Sequence, residues 1–311
     1  MRIYVIIVTY NGMKWIEECL KTIISSNIPV EIIVIDNNSS DFTVEFIRQN
    51  FGDVILLDQK KNLGFGIANN IGISYALSHD ADYVFLVNQD VFIEPETIEK
   101  LVKVAEENSE FGIVSPIHFN GKGNAIDQSF HYYISKPSAA EYISDTVLGI
   151  FNKKIYSLEM INAAAWLLPK KTLKIVGGFD PMFFLYGEDD NYCQRVLFHN
   201  LKIGITPFAK IRHDSNNNYK HEFPTGSDNY YDKFLTRVKV QFGNVNSDDF
   251  RKIHLFRFYF FKQSIFNLIR FRIFEAKVNW TKFKILFRVE FKENILLNRE
   301  SYPNYLDFKN K

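Results

Sequence analysis

The chain is poor in cysteine, because its 311 residues include only Cys19 and Cys193. Small secreted domains held by disulfides are much richer in cysteine, and structural zinc sites need several clustered thiol or imidazole ligands. Both cysteines lie in segments with helical spacing, so the sequence predicts neither a disulfide framework nor a zinc site. We therefore expect a protein of the reducing cytoplasm.

The chain also lacks a strong net charge and a long apolar run. A formal net charge of +1 argues against a dedicated nucleic-acid-binding protein, and a hydrophobic fraction of 46% excludes wholesale disorder. The apolar run at residues 3–9 is too short for a signal peptide or a transmembrane helix. No later uninterrupted run reaches the length of a span, so the first run is interpreted as a buried strand.

Strand-like and helix-like segments alternate along the first 115 residues. β-branched and aromatic runs predict strands at residues 3–9, 30–35, 54–57, 83–87 and 113–115, with helical spacing between them. This alternation predicts an α/β fold with a mostly parallel sheet and helices on both faces. Residues 121–156 have a weaker pattern and are interpreted as a mobile insertion or an acceptor-side loop.

Polar residues gather where three of these strands end, at 9–11, 36–39 and 88–90. In open α/β sheets, ligands bind outside the carboxyl ends of the strands. The sequence therefore predicts a nucleotide-type pocket within the first hundred residues.

A cluster of acids, Glu188, Asp189 and Asp190, follows an aromatic run, and His213 comes about two dozen residues later. Half-buried carboxylates are costly unless they bind a metal, pair with a cation or do acid–base work. Asp90, after a buried strand, offers a further hard oxygen ligand for a divalent cation. Taken singly, Asp90 is more often a turn residue and His213 an ordinary surface histidine.

The glycine-rich stretch NLGFGIANN at 62–70 differs from a dinucleotide fingerprint. It has Gly64 and Gly66 but Asn69 where a third glycine belongs, and it does not follow the first strand. It is interpreted either as a glycine-softened entry to a helix or as a loop whose amides hold a base or ribose.

Together these pieces resemble the inverting family 2 glycosyltransferases with the GT-A fold, and within them the rhamnosyltransferase-like subgroup. The resemblance covers roughly residues 1–215. The segments that carry it are VTYN (8–11), VIDNNSSD (34–41), NLGFGIANNIGI (62–73), LVNQD (86–90) and GGFDPMFFLYGEDDNYCQR (177–195), with His213.

The resemblance implies roles for individual residues. The residues implied to bind the nucleotide and its sugar, with Asp36 on the pyrimidine edge, are Thr9, Tyr10, Asn11, Asp36, Asn38, Ser39, Asn62, Gly64, Phe65, Asn69 and Gln89. Those implied for catalysis and metal binding are Asp189 as the base, Glu188 as its neighbour, and Asp90 with His213 around Mg²⁺ or Mn²⁺.

The acceptor side is less specific. Trp166 is a candidate wall for an acceptor sugar, with core packing as the alternative. Asp190 is placed on the acceptor side, or else only begins its helix favourably. The implied donor is dTDP-rhamnose, with a UDP-hexose as the alternative, and the implied acceptor is a glycan or a polyprenyl-linked glycan of a bacterial surface polysaccharide.

Asn88 departs from the family pattern, because the metal motif often has an acid at that position. One formal charge is lost, which keeps open a sugar-nucleotide-binding protein with a decayed site. A nucleotidyltransferase is a rival enzyme class, but residues 9–14 supply too little of the phosphate loop it requires.

Residues 1–215 are predicted to form the catalytic domain and 216–311 a basic, phenylalanine-rich helical region. Between Arg251 and Arg299 phenylalanines alternate with lysines and arginines. This pattern predicts either helices that lie on an anionic membrane surface or a helical subdomain that packs on the catalytic domain or on a second subunit of a homodimer.

Overall fold

The structure is a computed structural model that describes residues 1–215 and 223–306. Nine strands of these residues form one sheet in the order β3-β2-β1-β4-β8-β6-β9-β5, and β7 pairs with β9. The strands are β1 (Ile3–Thr9), β2 (Glu31–Asp36), β3 (Ile55–Asp58), β4 (Tyr83–Asn88), β5 (Val91–Ile93), β6 (Phe111–Asn120), β7 (Tyr156–Leu158), β8 (Ala165–Pro169) and β9 (Lys202–His213).

The helices alternate with these strands and then follow them. They are α1 (Ile16–Ile24), α2 (Thr43–Asn50), α3 (Phe65–Ser78), α4 (Thr97–Glu107), α5 (Gln128–Ile134), α6 (Ala140–Leu148), α7 (Lys170–Val176), α8 (Glu188–Phe198), α9 (Asp228–Phe242), α10 (Ile253–Ile269), α11 (Ile273–Ile285) and α12 (Lys292–Arg299). No helix of residues 1–215 and 223–306 is both long and apolar enough to cross a membrane.

The sheet is mostly parallel, as predicted. β1 pairs in parallel with β2 and β4, and β2 with β3, whereas β5, β7 and β8 run antiparallel to their neighbours. Thr9 pairs with Asp36 across β1 and β2, while Val8 pairs with Asn88 across β1 and β4. Three carboxyl ends therefore meet at one edge of the sheet.

Helices cover both faces of this sheet, which confirms the α/β prediction. Alternate residues of β1 enter two different cores: Tyr4 and Ile6 pack on the side of α3, and Val5 and Ile7 on the side of α1 and α4. Successive side chains of a strand point to opposite faces, so a strand buried on both faces must be apolar throughout. This explains the uninterrupted run in β1.

Residues 121–156 are more regular than the sequence indicated, because α5 and α6 lie within them. α5 begins where the Asp127 carboxylate accepts hydrogen bonds from the backbone N–H groups of Ser129 and Phe130. The weak sequence pattern did not predict these two helices. β9 is also longer than the predicted 203–205, and His213 ends it.

The described residues divide into two compact units. One unit takes residues up to 215 together with 301–306, and the other takes 223–300. Residues 301–306 pack on the first unit, where the backbone N–H of Gly178 donates to the carbonyl of Asn304 at 2.8 Å. The second unit contains α9 to α12.

Candidate functional site

The ends of β1 and β4 are joined by one side chain. Gln89 Oε1 accepts from Thr9 Oγ1 at 2.7 Å and from the backbone N–H of Tyr10 at 3.0 Å. Thr9 is fully buried, and Tyr10 is half exposed beside it. The structure therefore brings together three residues that the resemblance assigns to the nucleotide.

The end of β2 adds a second layer of polar contacts. Ser39 Oγ accepts from the backbone N–H of Asn11 at 2.8 Å, and Asp36 Oδ2 accepts from the backbone N–H of Ser39 at 2.9 Å. Asp36 is fully buried, and its Oδ1 has no hydrogen-bond partner among the described residues. Asn38, exposed at the turn with φ of 69°, follows directly. An unpaired buried carboxylate oxygen is costly, so a ligand N–H at this position would be stabilising.

Asn37 fixes the glycine-rich loop to the end of β2. Its Nδ2 donates to Asn62 Oδ1 at 2.9 Å, and its Oδ1 accepts from the backbone N–H of Leu63 at 2.8 Å. Asn62 Oδ1 also accepts from the backbone N–H of Gly64 at 2.9 Å. Asn37 was not predicted from the sequence, although its position between two polar residues at the end of a strand was a usable signal.

The glycine-rich loop packs closely on the loop before α8. The backbone N–H of Phe65 donates to the carbonyl of Phe184 at 3.1 Å. A Cβ added to Gly64, whose φ is +80°, would lie 2.1 Å from that carbonyl oxygen. A Cβ on Gly66 would lie 2.9 Å from Phe179 Cβ. The two loops can approach this closely only because both positions are glycine.

Two further side chains hold the second loop. Asn70 forms paired hydrogen bonds with the backbone of Phe179, donating to its carbonyl and accepting from its N–H at 2.7 Å each. The buried guanidinium of Arg195 donates to the carbonyls of Gly178 and Val176. Asn69, predicted at the nucleoside, is buried within α3 and donates to the carbonyl of Phe65 at 3.0 Å. These polar groups brace the acidic segment from both sides.

The acids stand in the first turn of α8, where the helix dipole favours negative charge. Burial opposes that effect. Burial and the nearby Asp189 charge raise the pKa of Glu188 to about 8, and the same two causes raise the pKa of Asp190 to about 7. Burial also raises the pKa of Asp189. A carboxylate with a raised pKa is a stronger base, which suits proton abstraction.

Asp90 and His213 face each other across β5 and β9. His213 Nε2 lies 3.4 Å from Asp90 Oδ1, and Nδ1 lies 3.7 Å from Asp127 Oδ2. Burial alone would lower the pKa of His213, but the hydrogen bond and charge of Asp90, with the charges of Asp127 and Asp214, raise it. Asp127 was missed by the sequence analysis, since its only local signal is that of a helix cap.

The fit of this pair to a divalent cation is partial. A carboxylate and an imidazole lie within 3.4 Å of each other, and both are ligands for Mn²⁺. Among the residues that the structure describes, no group of three or more His, Cys, Asp or Glu side chains is placed to hold a metal. The remaining ligands would have to come from elsewhere, and the oxygens of a donor diphosphate are of the right type.

Trp166 does not form an acceptor wall, so that prediction is wrong. Its side chain is fully buried in β8, where Phe179 stacks on it with centroids 6.1 Å apart and Tyr192 lies at 5.7 Å. Its indole ring packs in the core, which was the alternative interpretation. The aromatic side chains exposed next to the acids are instead Phe184 and Tyr186.

A cavity of about 520 Å³ lies at the other edge of the sheet. It is bordered by Phe111 and Lys202, where β6 and β9 begin, and its charges pair internally, as in the 2.6 Å contact of Lys154 with Glu107. It therefore does not belong to the strand-end site.

Known proteins that are similar to this chain are glycosyltransferases. Residues 4–165 match the model of "Glycosyl transferase family 2". A "Low-salt glycan biosynthesis hexosyltransferase Agl10" of Haloferax volcanii is 26% identical over 64% of this chain, and the match spans 63% of that protein's length. A "dTDP-rhamnosyl transferase RfbF" of Shigella flexneri is 28% identical over 68% of each chain.

Among solved structures, GalNAc-T7 with UDP, GalNAc and Mn²⁺ is 17% identical, with a TM-score of 0.58 over 77% of this chain and 47% of that one. This likeness shows a shared glycosyltransferase fold. Because the family model covers more than half of the 311 residues, the chain belongs to glycosyl transferase family 2.

Proposed function

We propose that this glycosyltransferase moves L-rhamnose from dTDP-rhamnose to a hydroxyl of a glycan or polyprenyl-linked glycan in bacterial surface polysaccharide synthesis. Similarity to a dTDP-rhamnosyl transferase supports the donor. A UDP-hexose is the alternative donor, supported by similarity to a glycan hexosyltransferase.

The nucleotide pocket is proposed at the joined ends of β1, β2 and β4. The unpaired Oδ1 of Asp36 supports this placement, because the imide N–H of thymine or uracil would give that oxygen a donor. Both pyrimidines carry this N–H, so the contact itself selects a pyrimidine over a purine but does not choose between dTDP and UDP.

Asp189 is the proposed catalytic base, and its position carries the proposal. It lies in the first turn of α8, beside Glu188. Glu188 lies close to the glycine-rich loop, because a Cβ added to Gly66 would be 3.8 Å from the Cβ of Glu188. The base would take the proton of the acceptor hydroxyl while its oxygen attacks the anomeric carbon. The bond from that carbon to the diphosphate oxygen breaks, so one displacement inverts the anomeric centre.

Asp90 and His213 are the proposed protein ligands of Mg²⁺ or Mn²⁺. When bound, the cation would neutralise charge on the leaving diphosphate. His213 Nε2 faces Asp90, and Nδ1 lies 3.7 Å from Asp127 Oδ2, which is beyond hydrogen-bond distance. A carboxylate on the far side of the ring would orient the histidine only if the two groups closed to a hydrogen bond when the cation binds.

The acceptor is proposed to lie against the segment before α8. Phe184 is 57% exposed and Tyr186 is 63% exposed with φ of 66°. Bulky residues avoid positive φ, and such strain concentrates at functional sites. Aromatic faces pack well on sugars, and Asp190, three residues beyond Gly187, would border the same surface.

The test is Asp189→Asn with Asp53→Asn as the matched control, since Asp53 is exposed and is not among the residues assigned to the site. We expect Asp189→Asn to lower turnover of dTDP-rhamnose by about 10² to 10⁴, measured as dTDP release, while calorimetric dTDP binding stays near wild type. Equal turnover in both variants would remove Asp189 from the mechanism. If the wild-type protein binds dTDP but does not cleave dTDP-rhamnose to release dTDP, the chain is a binding protein and not a transferase.

A further inference from the structure

We propose that the turn between α10 and α11 inserts into the surface of an anionic lipid membrane. The turn carries an uninterrupted exposed segment, LIRFRIFE at 268–275. Phe271 is 89% exposed, Ile269 71% and Ile273 69%. Exposed apolar side chains are ordinary when single, but a contiguous group of them marks an interaction surface.

The structure separates these side chains from the phenylalanines that hold the helical unit together. Phe261 lies 5.5 Å from Phe283 between α10 and α11, and Phe242 lies 5.4 Å from Phe256. Ser264 Oγ also donates to the carbonyl of Ala276 at 2.9 Å, which joins the two helices. The apolar side chains of the turn are therefore additional to this core.

The turn is a well-formed structural element. The backbone N–H of Phe271 donates to the carbonyl of Leu268 at 3.0 Å, and that of Arg272 to the carbonyl of Asn267 at 2.9 Å. Phe271 takes φ of 59°, which is unusual for an aromatic residue. These hydrogen bonds hold its ring at the tip of the turn.

Charge selects the partner. Between 251 and 288 the only acidic residue is Glu275, whereas the basic ones are Arg251, Lys252, Arg257, Lys262, Arg270, Arg272, Lys277, Lys282, Lys284 and Arg288. Arg270 and Arg272 flank Phe271, and neither has an ion-pair partner within residues 223–300.

Apolar side chains beside unpaired arginines match the boundary between acyl chains and anionic headgroups. A second copy of the chain would bring the same positive charge to the contact, and like charges repel. α10, with 17 residues, does not qualify as a span, so the contact is interfacial. The proposal is independent of the donor and of the reaction.

The first test is sedimentation of the full chain with vesicles of phosphatidylcholine alone or mixed equally with phosphatidylglycerol. We expect binding to the mixed vesicles, weakened by added salt, and little binding to the neutral ones. The double variant Ile269→Ser with Phe271→Ser should bind about tenfold less. Leu255→Ser is the matched control, because Leu255 is 58% exposed near the other end of α10, and it should bind as wild type.

A second measurement locates the contact directly. Phe271→Trp should gain fluorescence that is quenched by lipids brominated on the acyl chain, whereas Leu255→Trp should not. No binding to mixed vesicles, or equal quenching at both positions, would overturn the proposal. Sedimentation velocity supplies a third outcome: a wild-type dimer that the double variant dissociates would assign this surface to a second copy of the chain instead.

Discussion

At the scale of single residues, the side-chain amide of Asn37 connects the end of β2 to the glycine-rich loop through hydrogen bonds to Asn62 and Leu63. Replacing it by alanine leaves the backbone N–H of Leu63 without the acceptor it has at 2.8 Å. We expect Asn37→Ala to lower the free energy of unfolding by about 1–3 kcal/mol and to weaken dTDP binding by about tenfold, since the loop at 62–64 loses its fixed position. Denaturant titration and calorimetry measure the two effects.

Asn50→Ala is the control for this variant, because Asn50 makes a similar bond, 2.8 Å to the carbonyl of Phe46, at the exposed end of α2. It should leave dTDP affinity unchanged. Equal loss of affinity in both variants would show that Asn37 acts through general stability and not through the loop.

Glu188 gives the first unit a pH dependence of stability. Its pKa rises from 4.5 to about 8 because of burial and the Asp189 charge, so the folded chain holds a proton that the unfolded chain releases. This contribution to stability is complete below about pH 4.5 and is lost as pH rises through about 8. We expect the free energy of unfolding to fall by on the order of 5 kcal/mol across this window, at about 1.4 kcal/mol per pKa unit.

Glu188→Gln should flatten that dependence, while Glu45→Gln, on the exposed side of α2, should keep it. The unfolding is best followed by tryptophan fluorescence in a Trp280→Phe background, since Trp15 and Trp166 then report on the first unit alone. A wild-type stability that rises with pH between 5 and 8 would contradict the proposed burial of the acids.

The position of a single residue in the fold was predicted well where the local sequence pattern indicates the end of a strand. It was predicted poorly where contacts with residues distant in sequence determine that position. Asp36, Gln89 and Asp90 follow apolar strands, so their edge of the sheet could be predicted. Whether an aromatic ring faces a cleft or a core depends on distant partners, and the sequence left Trp166 undecided for that reason. Asp127 contacts His213, 86 positions away, and no spacing rule covers that distance.

At the scale of elements, the two loops that carry the proposed donor-binding residues and the proposed base pack closely because of glycine. We expect Gly64→Ala to separate them, since its φ of +80° is strained for alanine and the added Cβ would meet the carbonyl oxygen of Phe184. Turnover should fall by at least about tenfold, with a loss of stability of about 1 kcal/mol or more. Gly52→Ala, which has nothing within 4 Å of its Cβ, should change neither property.

Strands were predicted from the sequence where β-branched, aromatic or other apolar residues form an uninterrupted run. β1 and β2 are rich in β-branched residues and β4 in aromatic and other apolar ones, and all three strands were predicted, whereas the full lengths of β6 and β9 were not. Each of these two strands contains a proline, Pro116 or Pro207, and the β6–β9 register shifts between Ser115 and Ile117. Proline removes a ladder donor and marks irregular strands, so a sequence pattern ends the strand too early there.

At the scale of the whole molecule, two compact units with different chemistry share one chain. The first matches the family over residues 4–165, while the second is made of α9 to α12. Residues 301–306 return to the first unit, which no compositional change in the sequence signalled. The first unit could be predicted because its family motifs follow one another in a recognisable order along the chain. The second unit has no such motifs, and only its basic, phenylalanine-rich composition indicated helices.

Donor and cation binding should be linked, and thermal unfolding of the full chain measures that linkage. A ligand at 100 times its dissociation constant stabilises the folded state by about 2.7 kcal/mol. We expect dTDP to raise the unfolding temperature more with Mn²⁺ than without it, UDP to do so less, and GDP to have little effect. The reason is that the proposed ligands Asp90 and His213 would supply only part of a coordination shell, and the diphosphate oxygens would supply further ligands.

Asp90→Asn should abolish the Mn²⁺-dependent part of the shift and keep the part due to dTDP alone, whereas His131→Ala, on the exposed side of α5, should keep both. A wild-type shift that ignores Mn²⁺ would remove the metal from the proposal and leave the nucleotide in place. A shift with GDP equal to that with dTDP would remove the pyrimidine contact at Asp36. Because the two parts of the shift respond to different residues, one titration series separates the nucleotide pocket from the cation site.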